Sequence, residues 1–166
     1  MEKRFNGTAD AFVAASQRML ASGTLSTHTI QPVEVEINGD KAVAVSTGSV
    51  SVRAEVGGVE YEVFSMVRFH SRLFYCAPVD TRERAWKLVS LEAVYDRDYV
   101  IPMTRSGEVQ SHPPIEIAPG ARESYKYLDW VLGNRGFAIA RDLPGVDDED
   151  SVRKVMDEAQ EWLRME

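Results

Sequence analysis

The sequence predicts an α+β protein: a bent four-stranded antiparallel meander covered by one helix and followed by a two-helix C-terminal extension. Three observations carry that prediction. Apolar residues recur every three to four positions near the start, every second position between residues 25 and 102, and again at helical spacing after residue 120. Tight-turn sequences separate the alternating segments, so consecutive strands pair as neighbours and a helix must bury one face of the sheet.

The first helix is read from "TADAFVAASQRMLASG". Ala11, Phe12, Ala15, Met19 and Leu20 follow a period near 3.6, Thr8 is placed to cap the N-terminus, and Gly23 lies past the end. In "TIQPVEVEI" the period becomes two, with Val33, Val35 and Ile37 alternating with Glu34 and Glu36, and Asn38-Gly39-Asp40 forms a hairpin turn. "KAVAVSTGSVSVRAEV" is the second strand and ends at the Gly57-Gly58 turn; "VEYEVFSMVRFHSRLFY" is the third and "AWKLVSLEAVYDRDYVIP" the fourth. Ala42, Ala44, Ser46 and Gly48 give the second strand a small-residue face that suits a packed helix or a ligand. Residues 1–102 are therefore expected to form the sheet domain, and 103–166 a linker arm and two helices. Tyr125, Leu128, Val131 and Leu132 form the apolar side of the first of these helices. Val152, Val155, Met156, Ala159, Trp162 and Leu163 form that of the second, whose acidic start suits the helix dipole.

A chain of 166 residues with 44% hydrophobic content buries one sizeable core rather than two. The net charge of -7, with no run of Lys or Arg, excludes nucleic acid and anionic membrane surfaces as expected partners, which leaves a small neutral molecule or another protein. The single Cys76 cannot form an intramolecular disulfide, and with no base beside it in "RLFYCAPVD" it reads as an inert thiol at a strand end. There is neither a cationic start followed by an apolar signal core nor an apolar run long enough to cross a bilayer, so a cytoplasmic setting is expected. No metal-ligand spacing, phosphate-cradling Gly-rich loop or nucleophile elbow is present, and His112 in "SHPP" has no assigned chemistry; cofactor-free chemistry, or none, is the expectation.

The order of a helix, a His-bearing strand start, the Asn38-Gly39-Asp40 hairpin and "AWKLVSLEAVYDRDYVIP" as the last long strand resembles the SnoaL-like branch of the nuclear transport factor 2-like superfamily, a cone-shaped α+β fold. "RFNGTADAF" also looks like the Gly-containing approach to that family's third helix. The likeness covers about residues 5–102. It implies a polyketide cyclase, dehydratase or isomerase type of enzyme acting without a cofactor on a hydrophobic, polycyclic substrate, or else a module that only binds or dimerises. In dehydratase and dehydrochlorinase members a His at the start of the strand after the third helix works with an Asp from an earlier helix. His28 falls at that place, whereas the helix that would carry the Asp has no counterpart here. A sheet left open by missing helices would expose apolar surface, so a homodimer is expected.

Several residues then compete for roles. His28 is a base if an acid fixes its tautomer, or a structural joint bonded to backbone where helix meets sheet. Glu34 and Glu36, at even spacing, would share its face but lie too far along the strand to bond it, at roughly 3.3 Å per residue. Met66, Arg68, His70 and Arg72 share one face of the third strand. That face is either solvated or a subunit contact, or else the inner one, where Arg68 and His70 would polarise a carbonyl or an enolate. On the fourth strand Leu91, Ala93 and Tyr95 belong to a largely apolar wall that ends in a phenol. Tyr95 would donate to a bound oxygen or to backbone, and Asp96 and Asp98 either replace the missing acid or pair with Arg97 or Arg105. The site expected from the sequence is thus His28, Tyr95 and Asp96 as catalytic groups, with Arg68, His70, Leu91 and Ala93 around the substrate.

Overall fold

The computed structural model describes residues 8–77, 83–103 and 114–165. Helix α1 (Ala9–Ala21) starts where the Thr8 hydroxyl accepts from the Ala11 N–H at 3.2 Å, and Gly23, at φ 80°, turns the chain into the sheet. Strands β1 (Leu25–Asn38), β2 (Lys41–Val56), β3 (Val59–Cys76) and β4 (Ala85–Pro102) pair antiparallel in the order β1-β2-β3-β4. The Gly57-Gly58 turn takes φ of 60° and 80° at its two central residues, a conformation that side-chained residues resist.

Beyond β4 a 3-10 turn (Glu123–Tyr125) leads into α2 (Lys126–Asn134), and α3 (Glu149–Arg164) follows. Val52, Ala54 and Val63 of the sheet bury against Tyr125, Leu128, Val131 and Leu132, so α2 covers one face at one end. Helix α3 buries Ala159 and Leu163 against Val43. Because Val43 and Val52 stand an odd number of residues apart on a strand without a bulge, the two helices cover opposite faces. Trp162 anchors α3: its ring meets Phe74 edge-on at 6.4 Å and its Nε1–H donates to the Leu73 carbonyl at 3.3 Å. Between the helices the chain passes the outer edge of β4, where the Tyr95 N–H donates to Pro144 at 2.9 Å and the Tyr95 carbonyl accepts from Val146 at 2.9 Å.

The expected α+β class and four-stranded antiparallel meander are therefore present, but the sheet is buried differently. The segment read as an extension supplies the helical half of the core on both faces. Helix α1 leans on β1 instead of lying over the sheet, with Phe12 53% and Leu20 62% exposed, and β1 itself is exposed throughout.

Three bulges bend the sheet. Val33 is the extra residue between the Pro32–Ser46 and Glu34–Val45 pairs. Asp96 is extra between Met66–Arg97 and Val67–Tyr95, and Val89 between Arg72–Ser90 and Leu73–Leu88. Each reverses the in-out alternation beyond it. At the bend Gly48 is obligatory for a steric reason: a Cβ there would strike the Thr29 carbonyl and press on the Phe69 ring. The small-residue face of β2 is thus filled in part by Phe69.

Candidate ligand cavity

A cavity of about 450 Å³ lies at the bend, lined by Thr29, Gln31, Thr47, Gly48, Ser49, Met66, Val67, Arg68 and Asp96. Strand register explains most of this set. Thr29, Ser49 and Met66 form one cross-strand row and Gln31, Thr47 and Arg68 the next, so their side chains share the face that α2 does not cover. The Thr29 and Ser49 hydroxyls hydrogen-bond at 2.7 Å, and the Ser49 N–H also donates to Thr29 Oγ1 at 3.2 Å, which fixes one wall. Asp96 enters because it is the bulge residue, displaced from the ladder; its carboxylate accepts from Arg97 at 3.2 Å.

Arg68 is exposed into this cavity and has no carboxylate partner among the described residues. One row along, half-buried His70 is held below the ordinary imidazole range, first by burial and then by the Arg68 charge, with Glu92 opposing. It is therefore neutral near pH 7. Arg72, in the row after that, is occupied: it donates to Ser90 at 2.6 Å and to Glu92 at 3.1 Å.

The structure brings Arg68 and Asp96 together and separates the other expected site residues. His28 pairs with Val50, on the face opposite the cavity, and is exposed on the edge strand. Glu34 and Glu36, expected on the face of His28, pair with Val45 and Val43 and so point the other way, because the Val33 bulge intervenes. Leu91, Ala93 and Tyr95 pair with Ser71, Phe69 and Val67, on the face opposite Arg68 and His70, so the expected pocket divides between the two sides of the sheet. Tyr95 packs against Tyr125 with ring centroids 5.1 Å apart, and burial pushes its phenol up to about 12. His112 and Arg105 lie outside the described residues.

Asp98 serves the fold. Its Oδ2 accepts from the Leu128 N–H at 2.7 Å in the first turn of α2, so a strand carboxylate caps the helix. Burial nevertheless raises it to about 6, and its Oδ1 and the Ser65 hydroxyl beside it are buried without a partner among the described residues.

Thr29, Gln31, Thr47, Ser49 and Met66 were not foreseen as site residues. The signal for them is the pair of hydroxyl-rich stretches "STHTIQ" and "STGS", which face one another once β1 and β2 pair. Six of the nine lining residues carry polar side chains, and Gly48, Met66 and Val67 add apolar surface beside them. Among the described residues no three His, Cys, Asp or Glu side chains converge as a metal site, and no helix is long and apolar enough to cross a membrane.

No family model matches the chain. Over 144 residues, 81% of the chain and 55% of the relative, it is 26% identical to Pea pathogenicity protein 2 of Fusarium vanettenii. The chain spans little more than half the length of that relative.

Proposed function

We propose that the chain is a SnoaL-like domain of the nuclear transport factor 2-like superfamily that binds a small polar molecule in the cavity at the bend of its sheet. One observation carries this: an arginine without a carboxylate partner among the described residues projects into a cavity of about 450 Å³, a volume typical of ligand sites. A small-molecule fragment screen read by backbone amide NMR tests it. Saturable shifts at Thr47, Ser49 and Met66 that vanish in Thr47→Phe are expected. Binders that map only to other surfaces would refute it.

Asp96 and Arg68 sharing this cavity favours a catalytic reading of the same site, of the cyclase, dehydratase or isomerase type. The Asp96 carboxylate takes a proton from carbon next to a carbonyl, the electron pair moves to the carbonyl oxygen, and Arg68 holds the resulting enolate. Asp96 then takes the role of base expected of His28. A carbonyl-bearing binder should exchange that proton in heavy water with the native chain and not with Asp96→Asn; an equal rate in both removes the catalytic reading.

The uncovered part of the α2 face suits a second copy of the chain. Ile30, Val35 and Ile37 of β1 and Leu88 and Leu91 of β4 share it and are about half exposed. Sedimentation should show a dimer that Ile37→Asp splits.

A further inference from the structure

The chemistry of the cavity narrows what it holds. Four arginines project from the sheet. Arg53 is paired with Glu62 at 2.9 Å, Arg72 with Glu92 at 3.1 Å and Arg97 with Asp96 at 3.2 Å. Arg68 alone of the four has no such partner among the described residues, in a chain with 26 acidic residues against 19 basic ones. An excess of carboxylates makes a surface arginine easy to neutralise, so one that stays open at a cavity wall is available to an incoming anion. Its planar fork matches a carboxylate in two parallel hydrogen bonds.

The groups around Arg68 leave that role open. Asp96 is already engaged by Arg97, and His70 is neutral and adds no competing charge. Glu34 lies two strands away in the next row, about 10 Å by strand spacing, where screening is substantial. Glu92 is held by Arg72. Beside the apolar Met66 and Val67, the lining supplies hydroxyls and an amide: Thr29 and Ser49 on one wall, Gln31 and Thr47 on the row that contains Arg68. Such groups both donate and accept, which suits a ligand bearing hydroxyls.

We propose that the cavity takes a polyhydroxy carboxylate, with the carboxylate on the Arg68 guanidinium and the hydroxyls on Thr29, Gln31, Thr47, Ser49 and the free lone pairs of Asp96. This rests on the reading of the cavity as a ligand site and adds the class of ligand. D-glucuronate is the probe, with D-glucose supplying the hydroxyls alone and acetate the carboxylate alone. All three are titrated against the full chain with amide and methionine-methyl NMR.

Glucuronate should shift Met66, Thr47 and Ser49 saturably, and at least about tenfold more tightly than glucose or acetate. Arg68→Gln should weaken it by about tenfold or more, and Arg68→Lys, which keeps the charge and loses the fork, by less. Glucuronate binding that is unchanged in Arg68→Gln, or glucose binding as tightly, overturns the carboxylate assignment while leaving the cavity a ligand site. Acetate matching glucuronate overturns the part given to the hydroxyls. No response to any of the three overturns the ligand class, and the fragment screen then decides separately whether the cavity binds at all.

Discussion

Asp98 offers the sharpest test of how the sheet holds its helix, because burial and capping pull on it in opposite directions. Burial raises the carboxyl from an ordinary 3.8 to about 6, even though the N–H groups of Leu128 and Tyr127 and the charge of Lys126 favour the ionised form. Folding therefore shifts the balance toward the neutral acid relative to the unfolded chain. The sign follows: the folded chain binds the proton more tightly than the unfolded one, so ionised Asp98 costs stability above pH 6, and the cost disappears as pH falls from 6 to 4. A displacement of that size corresponds to about 3 kcal/mol, and because the carboxyl keeps some contact with solvent about 1–2 kcal/mol is the working figure.

Asp98→Asn keeps an oxygen for the Leu128 N–H and removes the charge. It should stabilise the chain by about 1–2 kcal/mol at pH 7.5 and by about a third of that at pH 4.5. Asp98→Ala removes the same charge but also the acceptor, leaving the N–H unpaired, so it should lie about 1–2 kcal/mol below Asp98→Asn at both pH values. Urea denaturation followed by circular dichroism, with the slope unchanged among the variants, measures each difference. If Asp98→Asn destabilises at pH 7.5, or shifts stability equally at both pH values, the charged cap outweighs burial and the reasoning fails.

Asp147 should behave oppositely: Arg122, which donates to it at 2.7 and 2.9 Å, holds its carboxyl well below the ordinary range, so its contribution is present at neutral pH and is lost on acidification below about 4. Asp147→Asn is expected to cost about 1–2 kcal/mol at pH 7 in urea denaturation, with the difference from the native chain shrinking progressively as the pH falls below about 4. Gly48→Ala should cost about 1–3 kcal/mol, because the new methyl group must displace the Thr29 carbonyl, and amide shifts should spread along β1 and β2. Trp162→Ala removes the Phe74 contact, the Lys41 ammonium 5.0 Å above the ring and the bond to Leu73; about 2–4 kcal/mol of lost stability, read calorimetrically, is expected.

Much of the architecture is legible because it rests on local chemistry. Thr8 and Gly23 mark the ends of α1, Gly39 and Gly57-Gly58 mark the hairpins, and the stripe of Tyr125, Leu128, Val131 and Leu132 is the buried side of α2. Which face a strand residue takes is legible only until the first bulge. Nothing about Val33, Asp96 or Val89 as residue types announces an extra position, since a bulge asks only that one residue leave the ladder. Pro32 is the nearest thing to a warning, as it has no N–H to give the ladder. Counting by twos from Val33 therefore misplaced Glu34 and Glu36 relative to His28, and the cavity's Thr and Ser residues stayed hidden until the pairing of β1 with β2 was known.

The Asp96 bulge links the core to the cavity. Without it Tyr95 and Asp98, three residues apart, would point to opposite faces of β4. With it both face α2, where Tyr95 packs on Tyr125 and Asp98 caps the first turn. The residue squeezed out to allow this is the carboxylate that lines the cavity beside Arg68. Drawing Asp96 back into the ladder would restore strict alternation and turn either the phenol or the cap away from the helix, so anchoring α2 and placing a carboxylate in the cavity are one structural event. A ligand that draws on Asp96 is accordingly coupled to the seating of α2 through a single backbone kink, with no chain of side chains needed between them.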